Sequence, residues 1–144
     1  MAITPNTNFT DATALTATQL NNFPRGIMAV TTSTGNTITA GNLVGLSATF
    51  TAVAGRNYKV SVLISSSTTS TGRVIINYSG STNRVIDAYM ATGSFNILVG
   101  SNIQTFTAGS TTVQVTWTPV SGTIIANASA TAAHQLVIED VGTA

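Results

Sequence analysis

Apolar residues recur at every second position from Leu46 to Ile64, and this period limits what the chain can fold into. Leu46, Ala48, Phe50 and Ala52 alternate before a short break, and Tyr58, Val60, Val62 and Ile64 alternate after it. A period of two puts successive side chains on opposite faces of an extended strand, so each run is a half-buried β-strand and not a helix. Between them, Ala54-Gly55-Arg56-Asn57 supplies a glycine for positive φ and an asparagine that tolerates it. The pair is expected to form a hairpin, or a sharp passage from one sheet to another. In this register Leu63 points away from the Val62 and Ile64 side and is assigned to a subunit interface.

The rest of the chain continues in the same manner. Runs at Gly26–Thr32, Arg73–Tyr78, Arg84–Ala91, Phe95–Val99, Asn102–Ala108, Thr111–Val120, Thr123–Ala128 and Gln135–Asp140 are separated by Gly, Ser and Asn turns. The two runs at Phe95–Val99 and Asn102–Ala108 read as one interrupted strand or two short ones. Ser65–Gly72 reads as a polar loop, and Pro119 marks a sheet edge or strand terminus. Short strands at regular spacing predict an all-β fold, an antiparallel β-sandwich of jelly-roll type. Several strands carry apolar residues on both faces, such as Val62-Leu63-Ile64 and Val74-Ile75-Ile76. A sandwich strand needs only one apolar face unless something covers the second; a homo-oligomer is expected, with a trimer favoured, the alternative cover being the N-terminal arm or loops.

Residues 1–25 differ, and read as an N-terminal arm preceding a β-sandwich domain at 26–144. Thr16 and Gln19 have the spacing of a capping box, and Leu15 and Leu20 that of a hydrophobic staple. Phe23-Pro24 stops the helix, because proline disfavours helical geometry in the residue before it. A helix of one or two turns is too short to stand alone in water, so it must dock. Phe9, Leu15, Leu20 and Phe23 are its anchoring residues, either onto their own domain or onto a partner. The opening MAITPNTNFT lacks the basic-then-apolar pattern of a signal peptide, and no window has the apolar length of a membrane-spanning helix.

Charge is scarce. Among 144 residues only 6% are charged, against roughly 25% in ordinary soluble domains. Threonine and serine make up over a quarter of the chain. The 43% apolar content and the strand periodicity separate it from disordered sequences. So weakly charged a surface offers little repulsion between copies, which favours packing against identical neighbours. A net charge of +1 with scattered basic residues points away from nucleic acid.

No constellation of catalytic residues emerges. The carboxylates are Asp11, Asp87, Glu139 and Asp140, and the last two point to opposite faces of one strand. Asp87, three residues from Arg84, suits a local ion pair. His134 is the sole histidine and no Gly-x-Ser-x-Gly elbow accompanies it, so a solvated or structural imidazole is the reading. One histidine without cysteine leaves no metal site, and no glycine-rich phosphate loop precedes a helix. No enzyme activity and no cofactor are expected. Trp117, Tyr78 and Tyr89 are candidates for a sugar-stacking platform, although Trp117 continues the alternation of Val113 and Val115 as a core residue would. The threonine array Thr31-Thr32-Ser33-Thr34 is too irregular for an ice-binding face.

Four segments together resemble a known group. These are Phe9-Thr10-Asp11…Leu15-Thr16-Ala17…Gln19-Leu20-Asn21-Asn22 with Pro24-Arg25-Gly26; Phe50-Thr51-Ala52-Val53-Ala54-Gly55-Arg56 with Tyr58-Lys59-Val60; Phe106-Thr107-Ala108-Gly109-Ser110-Thr111-Thr112-Val113; and Gln135-Leu136-Val137-Ile138-Glu139-Asp140-Val141-Gly142. The chain resembles small virion structural proteins of tailed bacteriophages. The resemblance implies a capsid-decoration, head-fibre, tail-fibre or tail-tip component located in the virion, with the major capsid protein or a tail protein as partner. It transfers no functional site. The alternative expectation is a receptor- or glycan-binding module at a fibre tip, taking a host surface glycan through the loops around 65–72 and 80–83.

Overall fold

The structure is a computed structural model that describes residues 14, 16–34, 37–38, 41–68, 72–78, 84–90, 93–119, 124–126 and 133–143. Its elements are α1 (Ala17–Asn22), β1 (Gly26–Ser33), β2 (Thr37–Ile38), β3 (Gly41–Ala52), β4 (Arg56–Thr68), β5 (Gly72–Tyr78), β6 (Arg84–Met90), β7 (Gly93–Thr105), β8 (Gly109–Pro119), β9 (Ile124–Ala126) and β10 (His134–Thr143). Among the described residues the chain is all-β apart from one short helix, and every strand pairing is antiparallel.

Two sheets form. In the first, the long strands run β1-β10-β4-β7. The short β9 and β2 extend it, β9 pairing with Ser66–Thr68 of β4 beyond the reach of β10. The second sheet runs β3-β8-β5-β6. One core lies between them. Tyr58, Val60, Val62, Ile64, Leu136 and Ile138 come from the first sheet, and Leu46, Ala48, Phe50, Ile76, Val85, Val113 and Val115 from the second. Each fully buried Val, Leu or Ile contributes about 1.5–3 kcal/mol relative to exposure.

The Leu46–Ile64 alternation therefore builds the core, and the junction within it is a passage between sheets. β3 pairs only with β8 in the second sheet, whereas β4 pairs with β10 and β7 in the first. Gly55 takes φ +72°, a conformation that costs a residue with a Cβ. The Val53 amide donates to Tyr58 Oη at 2.9 Å, so the second strand's first core residue closes the corner. Phe50, Tyr58 and Tyr78 surround Phe106 with ring centroids 4.9–5.7 Å apart, in tilted and edge-on arrangements that suit the ring quadrupoles.

Several expectations need correction. The turn consists of Ala54 and Gly55 alone; Arg56 and Asn57 belong to β4 and are buried, and Asn57 Nδ2 donates to Thr143 O at 3.2 Å. The two runs from Phe95 form one strand, β7, that ends at Thr105. Ser65–Thr68 is not loop but the end of β4, because β7 and β9 pair with it from both sides. Residues 69–71 and 79–83 lie outside the described residues, as does the side chain of Trp117.

Candidate functional site

The two sheets turn unlike faces outward. Residues directly opposite in an antiparallel pair share a face, so the register defines each surface. On the second sheet, Thr49 lies opposite Thr112, Ser47 opposite Gln114, and Ile75 between Thr116 and Asp87. The Thr49 and Thr112 hydroxyls are 2.8 Å apart, and Arg84 Nη1 donates to Asp87 Oδ2 at 2.9 Å. That face is polar.

The first sheet's outer face mixes polar residues with exposed apolar ones. Its rows across β1, β10, β4 and β7 are Ile27-Glu139-Lys59-Ile103, Val30-Val137-Ser61-Ser101 and Thr32-Gln135-Leu63-Val99, with Ser65-Ile97 beyond. Ile97 and Val99 are 71% and 72% exposed, and Leu63 is 41% exposed. Lys59 and Glu139 are the charges on these rows, and they pair with each other at 3.5 Å. Leu63 thus points outward, opposite Val99 on one side and Gln135 on the other. The signal for this surface was present in the sequence as consecutive apolar residues in β4 and β7; only the register brings Leu63, Val99, Ile97, Val30 and Ile27 onto one face.

The second feature is a clamp between the N-terminal helix and the sandwich. Arg56 opens β4 and Asp140 lies near the end of β10, and both side chains are buried. Arg56 Nε donates to Asp140 Oδ2 at 2.5 Å and Nη2 to Oδ1 at 2.7 Å, a bidentate pairing. The remaining donors reach the end of the helix. Nη1 donates to Asn21 O, and Nη2 to Phe23 O at 2.6 Å. These carbonyls lie at a helix terminus, where no intrahelical partner exists.

Asp140 is equally occupied, since the Gly142 amide donates to its Oδ1 at 2.9 Å and the Arg25 amide also bonds it. Burial alone would push the carboxyl up, but the Arg56 hydrogen bonds, the two amides and the Arg56 charge outweigh it and hold the pKa below the usual carboxylate value. An open cavity of about 270 Å³ lies beside the clamp, lined in part by Asn21, Arg25, Gly55 and Thr143.

The proposed anchoring residues divide. Phe9 and Leu15 lie outside the described residues. Leu20 is exposed and Phe23 is at the edge of exposure, so neither is buried on its own domain. The helix is held instead through its backbone carbonyls by Arg56. Sequence reasoning missed this clamp because it placed Arg56 in a turn and treated Asp140 only as a neighbour of Glu139.

His134 is 1% exposed. Its Nδ1 accepts from the Ser65 amide at 3.2 Å, so the neutral ring carries its proton on Nε2, which has no partner among the described residues. Burial lowers its pKa. Tyr89 is exposed on β6 and Tyr78 packs on Phe106 in the core. Among the described residues no group of three His, Asp or Glu is placed to hold a metal, and no helix is long and apolar enough to cross a membrane.

No protein-family model matches the chain, and neither does any curated protein.

Proposed function

We propose that the protein is a non-enzymatic bacteriophage virion structural protein that assembles as a homo-oligomer through its sandwich faces and is anchored by its N-terminal arm. The observation that carries this reading is the outer face of the first sheet. Ile27, Val30, Leu63, Ile97, Val99 and Ile103 are exposed on strands whose opposite faces already fill a core. Scattered surface apolar residues are ordinary, but Leu63, Val99 and Ile97 adjoin one another across β4 and β7, and an exposed apolar cluster of this kind marks an interaction surface.

The strand order supports a jelly-roll assignment. Setting aside the short β2 and β9, the long strands alternate between sheets except at β5–β6, giving β1-β10-β4-β7 against β3-β8-β5-β6. Jelly rolls serve in viral capsids and lectins, a fold-level analogy that suits the virion reading without selecting it. The resemblance to phage virion proteins supplies the rest. Exposed Leu20 and Phe23 suit an arm whose apolar side chains meet a partner while Arg56 fixes its base to the sandwich.

Sedimentation of the full chain tests assembly, and antibody labelling of purified phage particles tests location. Labelled heads or fibres are the expected result; unlabelled particles with all the protein free in the lysate would overturn the virion reading. Deletion of residues 1–20, which keeps the carbonyls that Arg56 binds, is expected to leave a folded oligomer that no longer joins the particle.

A receptor- or glycan-binding module is the second reading, favoured by Tyr89, which is 70% exposed on β6. Glycan binding by the assembled protein that is lost in Tyr89→Ala would establish it.

A further inference from the structure

Among the described residues β1, β3, β6 and β7 are the longer strands at sheet edges, and the first three carry features that discourage pairing with another chain. β1 has a bulge between Ile27 and Ala29, and its Thr31 hydroxyl donates across to Ser47 O in the second sheet. β3 loses register between Asn42 and Ser47. β6 is short and carries Arg84 and Asp87. Bulges, charges and short length are the usual protections of a sheet edge. β7 is long and uncharged, and its register shift against β4 is confined to its start, between Gly93 and Asn96. It runs 13 residues, GSFNILVGSNIQT, without charge or proline, and pairs with β4 in unbroken register from Asn57–Thr105 to Ser66–Asn96.

The hydrogen bonding identifies which of its amides face outward. The Ile103 amide donates to Asn102 Oδ1 at 2.9 Å, so it is turned away from β4. Backbone groups alternate in direction along a strand, so the amides of Ser101, Val99 and Ile97 are turned the same way. Asn102 also donates from Nδ2 to Val85 O at 2.7 Å, which ties this end of β7 to β6. Among the described residues the edge is therefore covered at Asn102–Ile103 and open from Ser101 to Ile97.

We propose that the open edge of β7 is a strand-addition site whose occupant is the β7 of a second copy, paired antiparallel about a two-fold axis. The proposal deepens the oligomer reading, on which it rests, by naming the contact. Three properties select a second copy. The edge carries no charge to repel itself. A two-fold antiparallel pairing sets Ile97, Val99 and Ser101 against residues of the same parity in the partner, so every outward amide meets an outward carbonyl. The Ile97 and Val99 side chains, exposed on the outer face beside Leu63, then extend that apolar cluster across the junction. Other arrangements, such as face-to-face packing at Leu63, predict different outcomes in the same experiment.

The test is amide hydrogen exchange of the full chain across a dilution series, with sedimentation of the wild type, Ser101→Pro and Leu63→Ser. Proline at 101 removes one outward amide and leaves the ladder to β4 intact. Exchange at Ile97, Val99 and Ser101 is expected to slow by about tenfold or more on association, because these amides gain partners. Ser101→Pro is expected to raise the dissociation constant by about tenfold or more with its β circular dichroism retained, which separates lost pairing from lost fold. Leu63→Ser, which leaves every β7 amide in place, is expected to weaken association but to show the same slowed edge exchange at concentrations where it is associated. A wild-type oligomer whose β7 amides exchange at the monomer rate would overturn this contact while leaving the oligomer reading intact. A wild-type monomer at every concentration would overturn both. If Ser101→Pro fails to fold, the wild-type exchange comparison alone decides.

Discussion

Arg56 and Asp140, 84 residues apart in the chain, form a buried bidentate ion pair whose spare donors hold the carbonyls of Asn21 and Phe23. One side chain thereby joins the start of β4, the end of β10 and the end of the N-terminal helix. A buried charge pair gains little over a hydrophobic substitute but is costly to break, because the survivor stays buried without a partner.

Arg56→Ala is expected to destabilise the fold by about 3–5 kcal/mol, measured as a shift in the urea unfolding midpoint. It should also free the helix. Under native conditions trypsin is expected to cleave after Arg25 faster in the variant than in the wild type, since Asn21 O and Phe23 O lose their donor and Asp140 loses its charge partner.

Two groups predict a decline of stability toward acid. Asp140 has a folded pKa below its unfolded value of about 3.9, so its contribution is complete above that value and is lost as pH falls through the folded pKa. His134 is likewise lowered, by burial, from an unfolded value of about 6.5. Its contribution begins to fall below that pH and is lost as the imidazole is forced to charge. Urea midpoints measured from pH 8 to pH 2 should therefore decline in two steps. His134→Gln is expected to remove the upper step and Asp140→Asn the lower one.

Leu63→Ser is expected to weaken self-association while changing the unfolding free energy by less than about 1 kcal/mol, because the side chain is outward and partly exposed. Leu136→Ala, on the inner face one strand away, should cost about 2–5 kcal/mol in stability. If both variants lost fold and assembly together, the outer face would belong to the fold.

Tyr58→Phe keeps the ring packing against Phe50 and Phe106 but removes the acceptor for the Val53 amide. A loss of about 1 kcal/mol is expected by chemical denaturation. Gly55→Ala at the same corner meets no atom within 4 Å, so its cost of about 1 kcal/mol comes from the left-handed backbone alone. Gly55→Asn should cost less than alanine, since asparagine tolerates that conformation.

Local alternation was enough to place most of the strands and to show which side of β3 and β4 is buried. Phe50, Tyr58, Val60, Val62 and Ile64 could be assigned to a core, and Leu63 to the opposite side, because a period of two is a local property of the backbone. The helix stop at Phe23-Pro24 and the Arg84–Asp87 pair were legible for the same reason, each involving residues a turn or less apart. Tertiary structure decided everything that depends on residues distant in the chain. Alternation around Gly55 is identical for a hairpin and for a passage between sheets, and only the pairing of β3 with β8 and of β4 with β10 and β7 separates them. Arg56 looked like a turn residue until Asp140 and the Asn21 and Phe23 carbonyls were brought around it. An apolar residue on an outward face is unremarked when single; strand register alone gathers Leu63, Val99, Ile97 and Val30 into a surface, because register sets which distant side chains share a face.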